Sequence, residues 1–288
     1  MGYAENVLKK IEEMYGYLSV VRMNAHKKKN GLKSTKPRVL GDKIAVLGNG
    51  KSQQLFWDNI ERFRDYDILC VNSFICRQTD LFFKYKPKYY CAVDGCLFSE
   101  ERAKRLGGTN EEDYYNIRKV LEDVTWKMYI ITFDIYDIII NNRNIEIIKI
   151  NQSNTPYVGQ HVKKLYEKNL ATIGAESVAV TALFFSVVFG YKEIALFGVD
   201  HDNFKGLVNN INNEVLVETW HSYNTSKPDY VKIREGVGEQ YIYLIFEGYT
   251  TLFKSYLLVA ELAKEMGAEI LNYNVNSYID AFNKVRLK

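Results

Sequence analysis

Apolar positions along the chain fall into two textures. Residues 5–23 repeat at helical spacing, with Val7, Leu8, Ile11, Met14, Leu18 and Val21 in register. The stretch 22–38, RMNAHKKKNGLKSTKPR, interrupts that pattern, and Gly31, Ser34 and Pro37 mark it as a linker or arm. From Asp42 onward, short apolar runs alternate with longer helical patterns. Strands are expected at Lys43–Leu47, 68–72, 89–94, 128–132, Ile145–Ile150, Glu193–Phe197 and 269–273. Helices are expected at 53–63, 111–123, 174–189 and 251–266. The polar stretch 200–248, with several Asn and Gly, reads as an inserted loop or lid. This alternation predicts a Rossmann-like α/β fold, a mainly parallel sheet with helices on both faces. Residues 1–38 would form an N-terminal helix and basic arm. Residues 39–288 would form one catalytic domain, with the lid at about 201–248.

Composition narrows the class. With 47% hydrophobic and 25% charged residues in 288, the chain is an ordinary globular one, which argues against disorder and a disulfide scaffold. No run reaches the ~18 apolar residues that span a bilayer. The first residues lack a signal-peptide core, and Cys70, Cys76, Cys91 and Cys96 have no CxxC spacing. A cytoplasmic protein with reduced thiols is expected. The net charge of +3 is too small to argue for a nucleic-acid partner. Its distribution is uneven: residues 22–38 hold seven Lys/Arg and no acid, which leaves the rest mildly acidic. A peripheral contact of 22–38 with the inner face of the plasma membrane is one reading. The other is a solvated linker behind a helix that joins copies into a homo-oligomer.

In an open parallel sheet, ligands bind beyond the carboxyl ends of the strands. The polar residues expected there are Asn49, Asn72, Asp94, Asp200 and His201. The turn Gly48-Asn49-Gly50-Lys51-Ser52 has glycines that let a backbone approach a phosphate at a helix start. It is not a P-loop, because Ala45 stands where that motif needs its first glycine. It is not a dinucleotide fingerprint either, because Gln53 replaces the third glycine. A tight turn that needs only glycine explains it equally. Asp200-His201-Asp202 is a DxD triplet, a type that holds divalent ions against diphosphates and also recurs by chance. His221, in Thr219-Trp220-His221-Ser222-Tyr223-Asn224, suits general-base work near neutrality, or is an ordinary loop histidine. Thr172 would cap the helix expected at 174–189, and Gly174 would admit a ligand to its start. Asn274, Asn276 and Ser277 would touch a base or sugar, or simply form turns.

Three stretches together resemble known proteins: Ala45–Ser52 (AVLGNGKS), Cys70–Phe74 (CVNSF) and Thr172–Asp200 (TIGAESVAVTALFFSVVFGYKEIALFGVD). In order and spacing they are similar to the bacterial family 42 sialyltransferases, and 260–277 resembles their last helix–strand–Asn-Ser unit. The same stretches resemble a related family that includes 6-hydroxymethylpterin pyrophosphokinase-like proteins, where Lys86–Asp94 and Gly198–His201 match better. The sialyltransferase resemblance implies a nucleotide sugar, CMP-sialic acid or a related CMP-keto-sugar, passed to a surface-glycan acceptor by inverting displacement with no metal required. It implies that Asn49 and Asn72 meet the phosphate and ribose, that Asp94 reaches the donor, and that Gly174 faces the cytidine or sugar. Asp200 would form the cleft wall and His221 would be the base. Lys51 or Tyr223 would help the amides of Gly48–Ser52 stabilise the leaving phosphate. Ile173 and Asp202 depart from the Ser and Tyr of that pattern. The second resemblance implies a pyrophosphokinase needing Mg²⁺, with Asp94, Asp200 and Asp202 as its carboxylates. A non-catalytic nucleotide-sugar-binding protein is the third reading.

Overall fold

The computed structural model describes residues 3–27, 41–155, 159–174, 177–219, 229–232 and 241–287. Helix α1 (Tyr3–Lys27) precedes the sheet. Strands β1 (Lys43–Leu47), β2 (Asp67–Val71), β3 (Tyr89–Cys91), β4 (Met128–Phe133) and β5 (Ile145–Ile150) follow in chain order. Between them lie α2 (Gln54–Asp58), α3 (Phe74–Arg77), α4 (Thr79–Tyr85), α5 (Glu100–Leu106) and α6 (Gly108–Glu122). Helices α7 (Gln160–Glu167) and α8 (Val178–Phe189) lead to β6 (Glu193–Phe197). A small sheet of β7 (Leu207–Asn209), β8 (Val215–Thr219) and β9 (Asp229–Lys232) comes next. Helix α9 (Ile242–Met266), β10 (Glu269–Asn272) and β11 (Asn283–Lys284) close the chain.

The main sheet has eight strands in the order β11-β10-β6-β1-β2-β3-β4-β5, every pair parallel. The expected Rossmann-like α/β architecture is therefore present. Strand order runs outward from β1 through β5, then reverses to place β6 on the other side of β1. The crevice between β1 and β6 is thus the topological switch point. Strand pleating sorts the core into two layers. Ile44, Val46, Leu69 and Val71 face α8 and α9, whereas Ala45, Leu47 and Cys70 face α2, α3 and α6. Continuous apolar runs such as KIAVL and EIALF are what a strand covered on both faces requires. Helix α8 is apolar all round because the sheet, α7 and α9 surround it. It ends at Gly190, whose φ of 102° suits glycine. All four cysteines are free. Among the described residues, no helix is long and apolar enough to cross a membrane.

Three expectations need correcting. The helix expected at 53–63 is a 3₁₀ turn (Lys51–Gln53), α2 and a second 3₁₀ turn (Ile60–Phe63). The break falls at Asn59, whose side-chain amide donates back to Leu55 O at 2.9 Å. Helix α8 starts at Val178, not at 174. Thr172 is not its cap: Thr172 bridges Asn154 in parallel fashion, and Ser177 accepts from Ala179 N at 3.2 Å instead. The expected lid at 201–248 carries structure of its own, the antiparallel β7-β8-β9 sheet, and its last residues already belong to α9.

Candidate functional site

The turns after β1 and β6 are built against each other. Gly48 N donates to Phe197 O and Gly50 N to Gly198 O, both at 2.8 Å. A Cβ on Gly48 would collide with the Gly198 carbonyl and come within 2.7 Å of Val199 Cγ2. A Cβ on Gly198, where φ is +66°, would meet the Gly48 carbonyl and Gln53 Cβ at 2.8 Å. These glycines thus serve mutual close approach of two backbone turns.

That contact changes the phosphate reading of the Gly48–Ser52 turn. Gly48 N and Gly50 N are committed to backbone carbonyls, and Ser52 N points at Asp200 Oδ2 at 3.4 Å. The carboxylate of Asp200 sits over Gly50, with Cγ 2.8 Å from where a Cβ would be. Ser52 Oγ donates to Asp200 Oδ1, and Asn274 Nδ2 donates to the same oxygen at 2.6 Å. Ser52 Oγ also accepts from Gly198 N at 3.1 Å. An internal carboxylate therefore occupies the place at this turn where a bound phosphate would find its amides.

Asp200 borders two adjoining cavities. The smaller, of about 160 Å³, lies over the switch point between Gly48–Gly50, Val71, the start of α8 and the turn from Gly198 to Asn203. The larger has about 440 Å³. It is lined by Lys51, Ser52, Asp202, Lys205, Asn274 and Asn276, among others. Asp202 and Asn203 border both cavities. Lys205 reaches Asp202 at 3.8 Å and lies over the Tyr278 ring at 4.6 Å.

Asparagines shape both sides. Asn272, Asn274 and Asn276 form a ladder: Asn274 N donates to Asn272 Oδ1 at 3.0 Å, and Asn276 N to Asn274 Oδ1 at 2.9 Å. The spacing of two lets each side chain close a turn for the next, which carries the chain away from β10 toward the cavity. Asn49 Nδ2 reaches Val71 O at 3.4 Å, leaving its Oδ1 buried and without a hydrogen-bond partner. Asn72 Oδ1 is likewise buried without one, on a residue whose φ is 43°. Two adjacent strands are thus each followed by a buried amide oxygen without a hydrogen-bond partner.

His201 also has left-handed backbone, with φ at 50°, and borders the smaller cavity. Its Nε2 is 2.5 Å from Tyr256 Oη on α9. Burial lowers its pKa to about 4, partly opposed by the Asp202 charge, so the ring is neutral near pH 7. Burial likewise pushes the Tyr256 phenol well up, against a hydrogen bond with Ser177.

The structure therefore gathers Gly48, Asn49, Gly50, Lys51, Ser52, Asp200, Asp202 and Asn276 at one cleft. Asn72 stands beside it, next to the lining residue Val71. Asp94, Thr172 and Gly174 line neither cavity. Asp94 is exposed and caps the 3₁₀ turn Gly95–Leu97 by accepting from Cys96 N at 3.2 Å. Gly174 packs by Asn154, and its carbonyl accepts from Ser255 Oγ at 2.8 Å. His221 and Tyr223 lie outside the described residues. Lys205, Asn203, Ser177 and Tyr256 were not singled out by sequence; nothing local marks them, because the cleft is assembled from distant segments. Among the described residues, no three His, Cys, Asp or Glu side chains converge as a metal site. No family model, no curated protein and no solved structure matches the chain.

Proposed function

We propose that the protein is a glycosyltransferase that takes a sugar from a nucleotide donor, a CMP-keto-sugar such as CMP-sialic acid, and passes it to a glycan acceptor with inversion. The observation that carries this reading is the divided cleft at the switch point. On one side stand the unpartnered amide oxygens of Asn49 and Asn72, acceptors that ribose hydroxyls or an exocyclic amine satisfy. On the other side is a polar cavity with carboxylates, amides and two lysines, groups that bind sugar hydroxyls and acidic substituents. Because Asp200 fills the anion position at Gly50, the donor phosphate belongs at the lysine side, near Lys51 and Lys205. Asp200 borders both cavities, held by Ser52 and Asn274, and forms the wall that the donor passes, its nucleoside on one side and its phosphate and sugar on the other with the acceptor. His221 is the proposed base that takes the proton of the acceptor hydroxyl as it attacks the anomeric carbon.

The decisive experiment is a thermal-shift panel of CMP, CDP, UDP, GDP and ATP, each with and without Mg²⁺. A ligand that binds only the folded chain raises Tm. A shift with CMP that needs no Mg²⁺ supports the proposal, and none with any cytidine nucleotide removes it. One feature favours a second reading, the Mg²⁺-dependent pyrophosphokinase: Asp200 and Asp202 border both cavities, as carboxylates bridging metal and diphosphate do. A shift confined to ATP with Mg²⁺ selects it.

A further inference from the structure

Helix α1 is fixed to the body by one side only. Val20 and Asn24 are buried beneath it, Asn24 Nδ2 donating to Leu170 O at 2.6 Å and Asn24 Oδ1 accepting from Asn151 Nδ2 at 2.8 Å. Glu13 is turned the same way and accepts from His161 N at 3.0 Å. These contacts orient the helix, and they direct its apolar residues outward. Leu8, Ile11, Met14, Tyr15, Leu18 and Val21 are all exposed, from 44% at Val21 to 67% at Tyr15. With 3.6 residues per turn they cover an arc of about 140° along a helix about 37 Å long.

We propose that this face of α1 lies on an anionic lipid surface, in the plane of the membrane. Three observations choose lipid over a second helix. The arc is broader than the narrow seam of a paired coiled coil, since Leu8 and Tyr15 widen it beyond the line Ile11, Met14, Leu18 and Val21. The charges at the face are basic: Lys10 and Arg22 are exposed within or beside it, whereas Glu13 points to the body and Glu12 falls outside the arc. The sequence from 28 to 38, directly after this helix, then adds five Lys/Arg with no acid. An apolar face with basic flanks binds anionic lipid through buried apolar area and charge together. This inference does not depend on the transferase reading.

Co-sedimentation of the full chain tests it, with phosphatidylcholine vesicles and with vesicles that also contain phosphatidylglycerol. Binding to the mixed vesicles alone is expected. Lys10→Gln and Arg22→Gln should each weaken it roughly fivefold. Ile11→Glu with Leu18→Glu should abolish it while leaving Tm unchanged, because both side chains face solvent. No binding to anionic vesicles overturns the proposal, as does equal binding to both vesicle types or binding that survives the double substitution. A dimer that the double substitution splits, in a protein that ignores vesicles, overturns it too and assigns the face to a second copy of the chain.

Discussion

Asn274 Nδ2 donates to Asp200 Oδ1 at 2.6 Å, and this bond ties the turn after β10 to the turn after β6 beside the cleft. Asn274, 74 positions further along the chain, thereby joins Ser52 in holding the carboxylate that closes the Gly50 turn. Asp200→Ala strands Ser52 Oγ and Asn274 Nδ2 without their acceptor. The expected loss is about 1–3 kcal/mol of stability, read from urea denaturation. The same substitution empties the anion position, so inorganic phosphate should raise the Tm of Asp200→Ala and not that of the parent. A variant as stable as the parent would show that the carboxylate is dispensable to the turn.

The glycines are separable by what surrounds them. Gly198→Ala forces a Cβ into the Gly48 carbonyl at a left-handed φ of +66° and should destabilise by about 3 kcal/mol. Gly174→Ala meets nothing nearer than Asn154 Cβ at 3.8 Å, and should leave stability within about 1 kcal/mol of the parent. Chemical denaturation of both variants checks the contrast. Retained nucleotide binding in Gly174→Ala would confirm that this glycine does not face the ligand.

The secondary structure of the sheet was readable because its strands are short, apolar and bounded by Gly or polar residues. Lys43–Leu47 and Glu193–Phe197 coincide with their expected limits. The site was readable only as a set of strand ends. Nothing in Gly48 or Gly198 alone reveals that each glycine exists for the other, since the pairing of β1 with β6 brings together segments 150 residues apart. Thr172 illustrates the ambiguity of a single residue, because threonine serves a helix cap and an extended bridge equally well. Asp200 reads as a metal ligand or cleft wall in sequence; its hydrogen bonds to Ser52 and Asn274 give it a structural duty that spacing could not convey.

His201 should make stability sensitive to mild acid. Burial holds its folded pKa at about 4, whereas an unfolded histidine titrates near 6.5. Well above pH 6.5 both states are neutral and the residue does not affect the pH dependence of stability. As pH falls below 6.5 the unfolded chain takes up a proton that the folded chain refuses, so stability declines until the folded pKa is reached. The decline attributable to His201 is about 2 kcal/mol between pH 7 and 5. His201→Gln should flatten this part of the stability curve measured by denaturation at each pH. An unchanged slope would mean that the imidazole is solvated.

Asn72 gives the most direct test of the proposed nucleotide side of the cleft. Its left-handed φ of 43° is one glycine adopts freely, so Asn72→Gly removes the side chain without straining the backbone. In the free protein it also removes a buried oxygen that has no hydrogen-bond partner, so the fold should lose little from this change. In the proposed complex it would remove an acceptor for a donor on the ligand. The expected outcome is a Kd for CMP about tenfold weaker, one neutral hydrogen bond, measured by calorimetry. Tm without ligand should stay close to that of the parent. Equal Kd values in the two proteins would place the nucleotide away from the ends of β1 and β2, and with it the divided-cleft assignment of donor and acceptor would fall.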